Sequence, residues 1–190
     1  MDVKLDKNEL RKKYKQIRDN IKNRNELSKQ ITDKILLSKE YISAKTICIY
    51  VSFGSELDTS EIIKNALKNG KIVGVPIIDE TNMNFYKINS IEEIKNENKF
   101  GIREPNKNKE NIISPKRIDL IIIPGICFDL ENNRVGFGKG YYDKYLANEE
   151  LTAVKIGICF KEQILKNKLM TTDIYNIKMD KVLHNWINLK

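Results

Sequence analysis

Residues 134–143, here called the glycine loop, have the composition of a phosphate-binding site. The run reads Arg-Val-Gly-Phe-Gly-Lys-Gly-Tyr-Tyr-Asp. Glycines allow backbone N–H groups to approach phosphate oxygens, a guanidinium can pair with two of those oxygens, and a carboxylate can hold Mg²⁺. The spacing matches neither Gly-x-x-x-x-Gly-Lys-Ser/Thr nor Gly-x-Gly-x-x-Gly, so a glycine-rich turn between a strand and a helix is the alternative. The residues that could do this chemistry are Arg134, Gly136, Gly138, Lys139, Gly140 and Asp143.

Four apolar runs predict the buried strands of an α/β fold. They lack the alternation of a half-exposed strand, which indicates that both faces of each strand are covered. A helix is predicted over residues 58–70, between the first two runs, with Thr59 or Ser60 as its N-cap and Gly70 at its end. The runs are Thr46–Val51, Lys71–Ile78, Asp119–Gly125 and Val154–Phe160.

The order of strand, helix and strand with short connections predicts parallel pairing. We therefore expect a mostly parallel central sheet with helices on both faces, in a three-layer Rossmann-like arrangement. Ligands of such sheets bind beyond the carboxyl ends of the strands. Glu56 follows the first strand and the glycine loop follows the third, so both are expected to line one cleft.

Two helices are predicted to precede the sheet, within residues 4–40. Apolar side chains recur at helical spacing from residue 10 to 21 and again from residue 27 to 36, with a junction near residues 23–25. A final strand is predicted over residues 181–188. Residues 89–117 are rich in Lys and Asn, and we expect them to form a loop-rich segment that partly orders over the cleft.

The composition predicts one cytoplasmic domain spanning residues 1–190. This length can bury a core without disulfides, no apolar stretch approaches the roughly 20 residues that cross a bilayer, and the amino terminus lacks an apolar secretory segment. Cys48, Cys127 and Cys159 have no metal-ligand spacing and are expected to be buried thiols. His184 is the only histidine, so a histidine-dependent catalytic triad is not expected.

The net charge of +8 is compatible with two kinds of anionic partner. The 34 cations are scattered among 26 acids, and no nucleic-acid-binding motif accompanies them. A nucleotide together with a small polycarboxylate would satisfy the same charge. A basic nucleic-acid-binding protein with an α/β core therefore stays open as an alternative.

The sequence resembles the 5-formyltetrahydrofolate cyclo-ligase family, also called 5,10-methenyltetrahydrofolate synthetase, over nearly its whole length. The most specific feature is Pro124-Gly-x-x-Phe-Asp129 followed by the glycine loop. Weaker features occur in the same order as in the family. They are Lys7-x-x-x-Arg11, Val51-Ser-x-x-x-Glu56-Leu-Asp-Thr59, Gly70-Lys-x-x-x-x-Pro76, Glu104-Pro105 and Phe160-Lys-Glu-Gln163.

The resemblance implies an ATP- and Mg²⁺-dependent enzyme that converts 5-formyltetrahydrofolate to 5,10-methenyltetrahydrofolate and releases ADP and phosphate. The γ-phosphoryl group would move to the formyl oxygen, and N10 of the folate would attack the resulting iminium phosphate. Such chemistry depends on in-line positioning and charge neutralisation, which suits a site made of cations and glycines. A cytoplasmic monomer without a nucleic-acid or membrane partner is expected.

The resemblance also implies roles for individual residues. Arg134 and Lys139 would act in catalysis, and Asp143 and Asn176 would hold the metal; many members carry an acidic residue at the position of Asn176, for which Asp173 or Asp180 could substitute. ATP would contact Lys7, Arg11, Arg134, Gly136, Phe137, Gly138, Lys139, Gly140, Tyr141 and Tyr142. The folate would contact Val51, Glu56, Phe100, Phe137, Gly138, Lys139, Gly140 and Tyr141.

Two alternatives retain the phosphate loop. One is an ATP-dependent kinase or ligase of another small acid, with a different pocket around Glu56. The other is a family member with weakened activity, which the neutral Asn176 suggests. Glu56 itself has two readings: a carboxylate that accepts paired N–H bonds from a pterin ring, or an acid near a helix start. Tyr141 and Tyr142 are not distinguished, because one could stack on a ligand while the other packs in the core.

Overall fold

The computed structural model describes residues 6–166 and 177–185 of the chain. Within these residues the helices are α1 (Lys7–Asp19), α2 (Arg24–Leu36), α3 (Lys39–Ser43), α4 (Ser60–Lys68) and α5 (Tyr141–Leu146). The strands are β1 (Thr46–Ile49), β2 (Ile72–Ile78), β3 (Met83–Ile88), β4 (Asn96–Glu97), β5 (Arg103–Glu104), β6 (Leu120–Ile123), β7 (Cys127–Asp129), β8 (Arg134–Val135), β9 (Val154–Ile158), β10 (Ile164–Leu165) and β11 (Lys181–Leu183).

The central sheet has six strands in the order β11-β9-β6-β1-β2-β3. All neighbouring pairs are parallel except β2 with β3. The aliphatic runs form its interior strands, and every residue of β1 and β6 is buried. The predicted mostly parallel sheet is confirmed, because continuous aliphatic runs suit strands that are covered on both faces.

Helices cover both faces of this sheet. Ile47 and Ile49 of β1 pack in one core with α2 and α4, whereas Cys48 between them packs in a second core with α5. Alternate side chains of a strand point to opposite faces, so the two cores are the two sides of one sheet. The three-layer arrangement is thus confirmed.

The amino-terminal helices were predicted correctly, with a junction at residues 20–23 in place of 23–25. Leu10 of α1 packs with Cys127, Val135 and Leu165. The last three belong to a small second sheet, β10-β7-β8, which the sequence did not predict. This contact fixes α1 beside the glycine loop, which starts in β8.

The start of α4 differs from the prediction in its capping group. Thr59 occupies the N-cap position, but its side chain does not cap the helix. Its hydroxyl donates to the carbonyl oxygen of Tyr50 at 2.8 Å, and the carboxylate of Asp58 accepts from the backbone N–H of Ser60 at 2.9 Å. The threonine hydroxyl therefore ties the helix to the end of β1, while the preceding aspartate satisfies the helix N-terminus. Gly70 follows the helix with a φ of +71°, as predicted.

Strand β3 was missed because its apolar residues do not form a continuous run. Met83, Phe85, Tyr86 and Ile88 are buried, but the polar Asn84 and Lys87 interrupt them. The strand pairs antiparallel with β2 and closes one edge of the sheet. The predicted last strand, 181–188, is confirmed for β11 but is wrong for residues 184 and 185, which lie outside any strand; residues 186–188 lie outside the described residues.

The ring of Phe128 fills space left by two glycines. A Cβ atom on Gly157 would lie 2.4 Å from Cε1 of this ring, and one on Gly125 would lie 2.6 Å from its Cζ. Phe128 is fully buried and cannot swing away. The spacing Pro-Gly-x-x-Phe therefore reflects close packing of a glycine against an aromatic ring.

We expect Gly157→Ala to lower the free energy of unfolding by about 1–3 kcal/mol through overpacking. The measurement is the midpoint of urea unfolding followed by circular dichroism. The matched control is the same Gly157→Ala substitution made in a Phe128→Leu background. The smaller leucine removes the clash, so the substitution should lower the free energy of unfolding less there than in the wild type. Equal costs of the alanine in the two backgrounds would contradict this explanation.

Candidate functional site

Two clefts meet at the glycine loop, beyond the carboxyl ends of β1 and β6. The first, here called the apolar cleft, has a volume of about 320 Å³, and the second, here called the basic cleft, about 510 Å³. The apolar cleft is lined by Tyr50, Val51, Phe53, Glu56, Pro76, Ile78, Met83, Phe100, Ile102, Glu104, Pro124, Phe137, Lys139, Tyr141 and Tyr142. The basic cleft is lined by Lys7, Arg11, Val135, Lys144 and Ala147. Both clefts include Arg134, Gly136, Gly138, Gly140 and Asp143, so the glycine loop is their shared wall.

The backbone of the glycine loop requires glycine at two of its three glycine positions. Gly138 and Gly140 have φ angles of +96° and +73°, which L side chains rarely adopt. A Cβ atom on Gly138 would also lie 3.2 Å from Cζ of Arg11. The Nε group of Arg11 donates to the carbonyl oxygen of Gly136 at 2.9 Å. Helix α1 therefore holds the loop from the side of the basic cleft.

Arg134 is the most constrained side chain of the site, with 3% of its surface exposed. Nη2 donates to Oδ1 of Asp143 at 2.7 Å, and Nη1 donates to the carbonyl oxygen of Pro124 at 3.2 Å. Its Cζ atom lies 5.7 Å from the ring centre of Tyr142. Its Nε group is buried without a hydrogen-bond partner among the described residues. The guanidinium is thus held between the two clefts, with its buried Nε–H group still unpaired among the described residues.

Asp143 offers one oxygen to a ligand. Its side chain is 24% exposed, and Oδ1 is taken by Arg134, whereas Oδ2 accepts no hydrogen bond from the described residues. In the described part of the chain no three His, Cys, Asp or Glu side chains cluster to hold a metal. Mg²⁺ often binds through one or two carboxylates, nucleotide phosphates and water, so this single carboxylate fits a nucleotide-bound ion.

The predicted second metal ligand, Asn176, lies outside the described residues, as does Asp173. Asp180 is described, and its carboxylate accepts from the backbone N–H of Lys155 at 2.7 Å. Lys155 is near the start of β9, whereas the clefts lie beyond the carboxyl ends of the parallel strands. Asp180 is therefore at the opposite end of the strands from the clefts. The suggestion that Asp180 could replace the second ligand is therefore wrong for this arrangement.

Glu56 is a buried carboxylate with 5% of its side chain exposed. Its Oε2 accepts from the backbone N–H of Phe53 at 3.1 Å, and its Oε1 lies 3.9 Å from Nη1 of Arg18. Burial raises the pKa of Glu56 to about 7, although Arg18 and the Phe53 N–H group oppose this shift. The residue does not cap α4. An acid buried at the base of an apolar cleft, with its pKa displaced, is typical of a ligand-binding group.

The two tyrosines of the glycine loop have different environments. The hydroxyl of Tyr142 is buried without a hydrogen-bond partner in the described part of the chain, and its ring packs edge-on against Phe85. Burial raises its pKa. Tyr141 is half-buried and lines the apolar cleft beside the exposed Phe137 and Lys139. Both tyrosines are half-buried and line the apolar cleft, and they differ in that the hydroxyl of Tyr142 is enclosed.

Residues 96–104 form a strap over the apolar cleft, as predicted for the loop-rich segment. Oδ1 of Asn98 accepts from the backbone N–H groups of Phe100 and Ile102 at 2.9 and 3.1 Å. Oε1 of the buried Glu104 accepts from Nδ2 of Asn98 at 2.7 Å and from the N–H of Ile78 at 3.1 Å. These bonds tie the strap to β2 and place Phe100, Ile102 and Glu104 in the lining.

Sequence reasoning missed Arg18, Phe53 and the strap network. The position of Arg18 could have been predicted from the spacing of the cations. Lys7, Arg11 and Arg18 are spaced by four and seven residues and so share one helical face. Phe53 lies 6.4 Å from Phe137, ring centre to ring centre, across the mouth of the apolar cleft. Nothing local in the sequence distinguishes it from a packing residue.

The cysteines and the histidine play no part in this site. Cys48, Cys127 and Cys159 are buried free thiols, and burial raises the pKa of each, which disfavours the reactive thiolate. His184 follows β11, and its carbonyl oxygen accepts from Lys34 of α2 at 2.7 Å. Within the described ranges, no helix is both long and apolar enough to span a membrane.

Comparison with known proteins gives a consistent result. The model of the 5-formyltetrahydrofolate cyclo-ligase family matches residues 3–185. A 5-formyltetrahydrofolate cyclo-ligase from Mus musculus is 34% identical over 164 residues, which cover 81% of this chain and 80% of the relative. A probable 5-formyltetrahydrofolate cyclo-ligase from Schizosaccharomyces pombe is 35% identical, with 79% of each chain covered.

A solved structure shares the fold. The 5,10-methenyltetrahydrofolate synthetase from Aquifex aeolicus has a TM-score of 0.80 at 29% sequence identity, with 94% of this chain and 89% of that chain covered. The chain belongs to the 5-formyltetrahydrofolate cyclo-ligase family.

Proposed function

We propose that this protein is a 5-formyltetrahydrofolate cyclo-ligase, which uses ATP to close 5-formyltetrahydrofolate to 5,10-methenyltetrahydrofolate. The observation that carries the proposal is the glycine loop as a wall shared by two clefts of different chemistry. A reaction that moves a phosphoryl group from a nucleotide to a folate needs the two ligands on either side of one phosphate-binding element. The family membership supports the same reaction.

The folate occupies the apolar cleft in this proposal. Its pterin ring would pack among Val51, Phe100 and Tyr141, while the carboxylate of Glu56 accepts N–H bonds from the 2-amino pyrimidine edge. Ionised Glu56 offers oxygen acceptors only, which suits paired donors. Phe137 and Lys139 lie on the exposed side of the same cleft and would meet the part of the folate nearer to solvent.

ATP occupies the basic cleft, with its γ-phosphate at the shared wall. Lys7, Arg11, Arg134 and Lys144 give this cleft a positive charge that matches a triphosphate. Gly136, Gly138 and Gly140 leave their backbone open to phosphate oxygens. Four further residues predicted to contact ATP line the apolar cleft and not the basic cleft: Phe137, Lys139, Tyr141 and Tyr142. Of these, the long side chain of Lys139 would contact the transferred phosphoryl group.

The reaction has two stages. The formyl oxygen of the folate attacks the γ-phosphorus, the bond to the β-phosphate oxygen breaks, and ADP leaves with an iminium phosphate formed on the folate. N10 then attacks the formyl carbon and loses its proton, and inorganic phosphate departs as the methenyl bridge forms. Arg134 and Lys139 would neutralise charge on the phosphoryl oxygens in the first stage, which is where electrostatic stabilisation contributes most.

Mg²⁺ would be held by Oδ2 of Asp143 together with the nucleotide phosphates and water. When bound, the ion supplies positive charge at the phosphate oxygens. The ion pair with Arg134 fixes the orientation of this carboxylate. Asn176 stays a proposed second ligand.

We also propose a single domain that acts as a cytoplasmic monomer. One central sheet carries the main cores on its two faces, and the clefts are formed within one chain. The three buried thiols suit a reducing compartment.

The experiment is an absorbance time course with the purified protein, 5-formyltetrahydrofolate, ATP and Mg²⁺, since the methenyl product has a conjugated chromophore that the substrate lacks. We expect a rise that needs all three additions. ATP turnover without the chromophore would favour a kinase or ligase of another acid. A flat trace with folded protein would contradict the proposal.

Asp143→Asn should raise the Mg²⁺ concentration at half-maximal rate by more than about tenfold, because it removes an anionic ligand. The same assay, run across a Mg²⁺ titration, makes the measurement. Asp180→Asn is the matched control and should leave the titration unchanged, since Asp180 lies at the opposite end of the strands from the clefts. Equal titrations of the two variants would exclude Asp143 as the metal ligand.

A further inference from the structure

A buried arginine, Arg18 of α1, joins the two loops that form the apolar cleft. Its side chain is 5% exposed. Nε donates to Oγ of Ser55 at 3.1 Å, and Nη1 lies 3.9 Å from Oε1 of Glu56. On its other side, Cζ lies 5.7 Å from the ring centre of Phe137. One guanidinium therefore contacts the loop after β1 and the glycine loop at the same time.

The loop after β1 is anchored to the end of α1 through a second bond. The hydroxyl of Ser55 donates to the carboxylate of Asp19, the residue after Arg18. Ser55 therefore accepts from one residue of α1 and donates to the next, which places Glu56 at a fixed distance from the helix. Buried charged groups are costly unless such bonds satisfy them, and two groups that Arg18 contacts, Glu56 and Phe137, line the apolar cleft.

We propose that Arg18 is a positioning residue for folate recognition, which orients Glu56 for the pterin ring and links that carboxylate to the glycine loop through Phe137. The inference rests on the proposed function. Oε2 of Glu56 already accepts from the Phe53 N–H group, whereas Oε1 meets Arg18 only at 3.9 Å and keeps room for ligand donors. The guanidinium thus holds the acid without occupying the position that a ligand needs.

Arg18 is also the cation that acts on the charge of Glu56. The other titratable groups that face this carboxylate among the described residues are Tyr50 and Tyr142, and burial raises the pKa of both phenols, so both are neutral. Removing the guanidinium should therefore make Glu56 harder to ionise. Folate binding would then require a higher pH.

The test compares Arg18→Gln and Arg18→Lys with the wild type in the methenyl assay between pH 5.5 and 9. We expect Arg18→Gln to raise the KM for folate by about tenfold or more, because Glu56 loses its charged partner. The KM for ATP should change less. The pH at which kcat/KM falls on the acidic side of its profile, here called the acid limb, should rise by about one pH unit. Arg18→Lys keeps the charge and should keep the limb near its wild-type position. Arg117→Gln, at an exposed arginine outside both clefts, is the matched control.

A double-mutant cycle separates this role from simple stabilisation of the fold. If Arg18 acts through Glu56, Arg18→Gln should add less than about twofold to the folate KM in a Glu56→Gln background. Equal effects in the two backgrounds, or an unmoved acid limb in folded Arg18→Gln, would overturn the proposal. Absence of methenyl product from the wild type would instead refute the proposed function.

Discussion

Arg134→Lys should lower kcat by a factor of about 10³ or more, because arginines that stabilise a transferring phosphoryl group contribute effects of that size. The guanidinium is almost fully buried, and two of its nitrogens are committed to Asp143 and Pro124. Its Nε group is buried without a partner among the described residues, and the side chain lines both clefts. Lysine keeps the charge but cannot reproduce this fixed fork of donors.

The measurement is steady-state kinetics with both substrates, supported by a single-turnover experiment. We expect the loss to lie mainly in kcat, since the proposed contact strengthens as charge develops on the phosphoryl oxygens. Thermal unfolding of Arg134→Lys shows whether the core survives the change. Arg117→Lys provides the same substitution at an exposed site. A folded Arg134→Lys variant with kcat within tenfold of the wild type would remove Arg134 from the catalytic step.

Glu56→Gln should weaken folate binding and stabilise the free protein. An amide offers one acceptor where the carboxylate offers two, and its NH₂ group opposes the pterin donors. We expect the folate KM to rise by about 100-fold, because the variant leaves a donor unpaired in a buried cleft. The KM for ATP should change far less, since Glu56 does not line the basic cleft. Similar changes in both KM values would indicate a general structural defect.

The stability effect follows from the displaced pKa of Glu56. Its pKa is about 7 in the folded protein and 4.5 for the unperturbed group, so the folded state binds the additional proton between these values. The contribution of this group to stability is complete below pH 4.5 and is lost as the pH rises through 7. The shift of the pKa from 4.5 to about 7 corresponds to roughly 3 kcal/mol in the free energy of unfolding.

Urea unfolding of wild type and Glu56→Gln at pH 5 and pH 8 measures this contribution. The advantage of the variant should be larger at pH 8 than at pH 5. Glu149→Gln, the same substitution at an exposed acid outside both clefts, is the control. A constant difference between wild type and variant across this pH range would contradict the ionisation of a buried Glu56.

The sequence predicted those parts of the structure that local pattern determines. Continuous aliphatic runs identified β1, β2, β6 and β9, and the glycines identified the loop, because a covered strand and a positive φ each need particular residues in sequence. Strand β3 escaped because its polar positions look like those of a loop. Its place is determined by pairing with β2, which is a tertiary property.

Within the clefts, the contact inside the glycine loop follows from a single motif, whereas the contacts of Arg18 and of the strap were missed because the fold assembles them. Arg134 and Asp143 are nine residues apart and pair directly. Arg18 reaches Glu56 from a helix almost forty residues away, and only the docking of α1 buries its charge. The strap likewise depends on a bond between Glu104 and β2. Contacts of this kind leave no local pattern.

The hydrogen bond between Arg11 and Gly136 has a consequence for how the protein is made. It joins residues 125 positions apart. At ribosomal speeds of 5–20 residues per second, α1 is synthesised roughly 6 to 25 seconds before its partner loop exists. During that interval the cationic face of the helix has no partner in the glycine loop, so the proposed nucleotide site is completed only late in synthesis. A nascent chain therefore cannot complete the basic cleft before residue 147, the last residue that lines it, has been made.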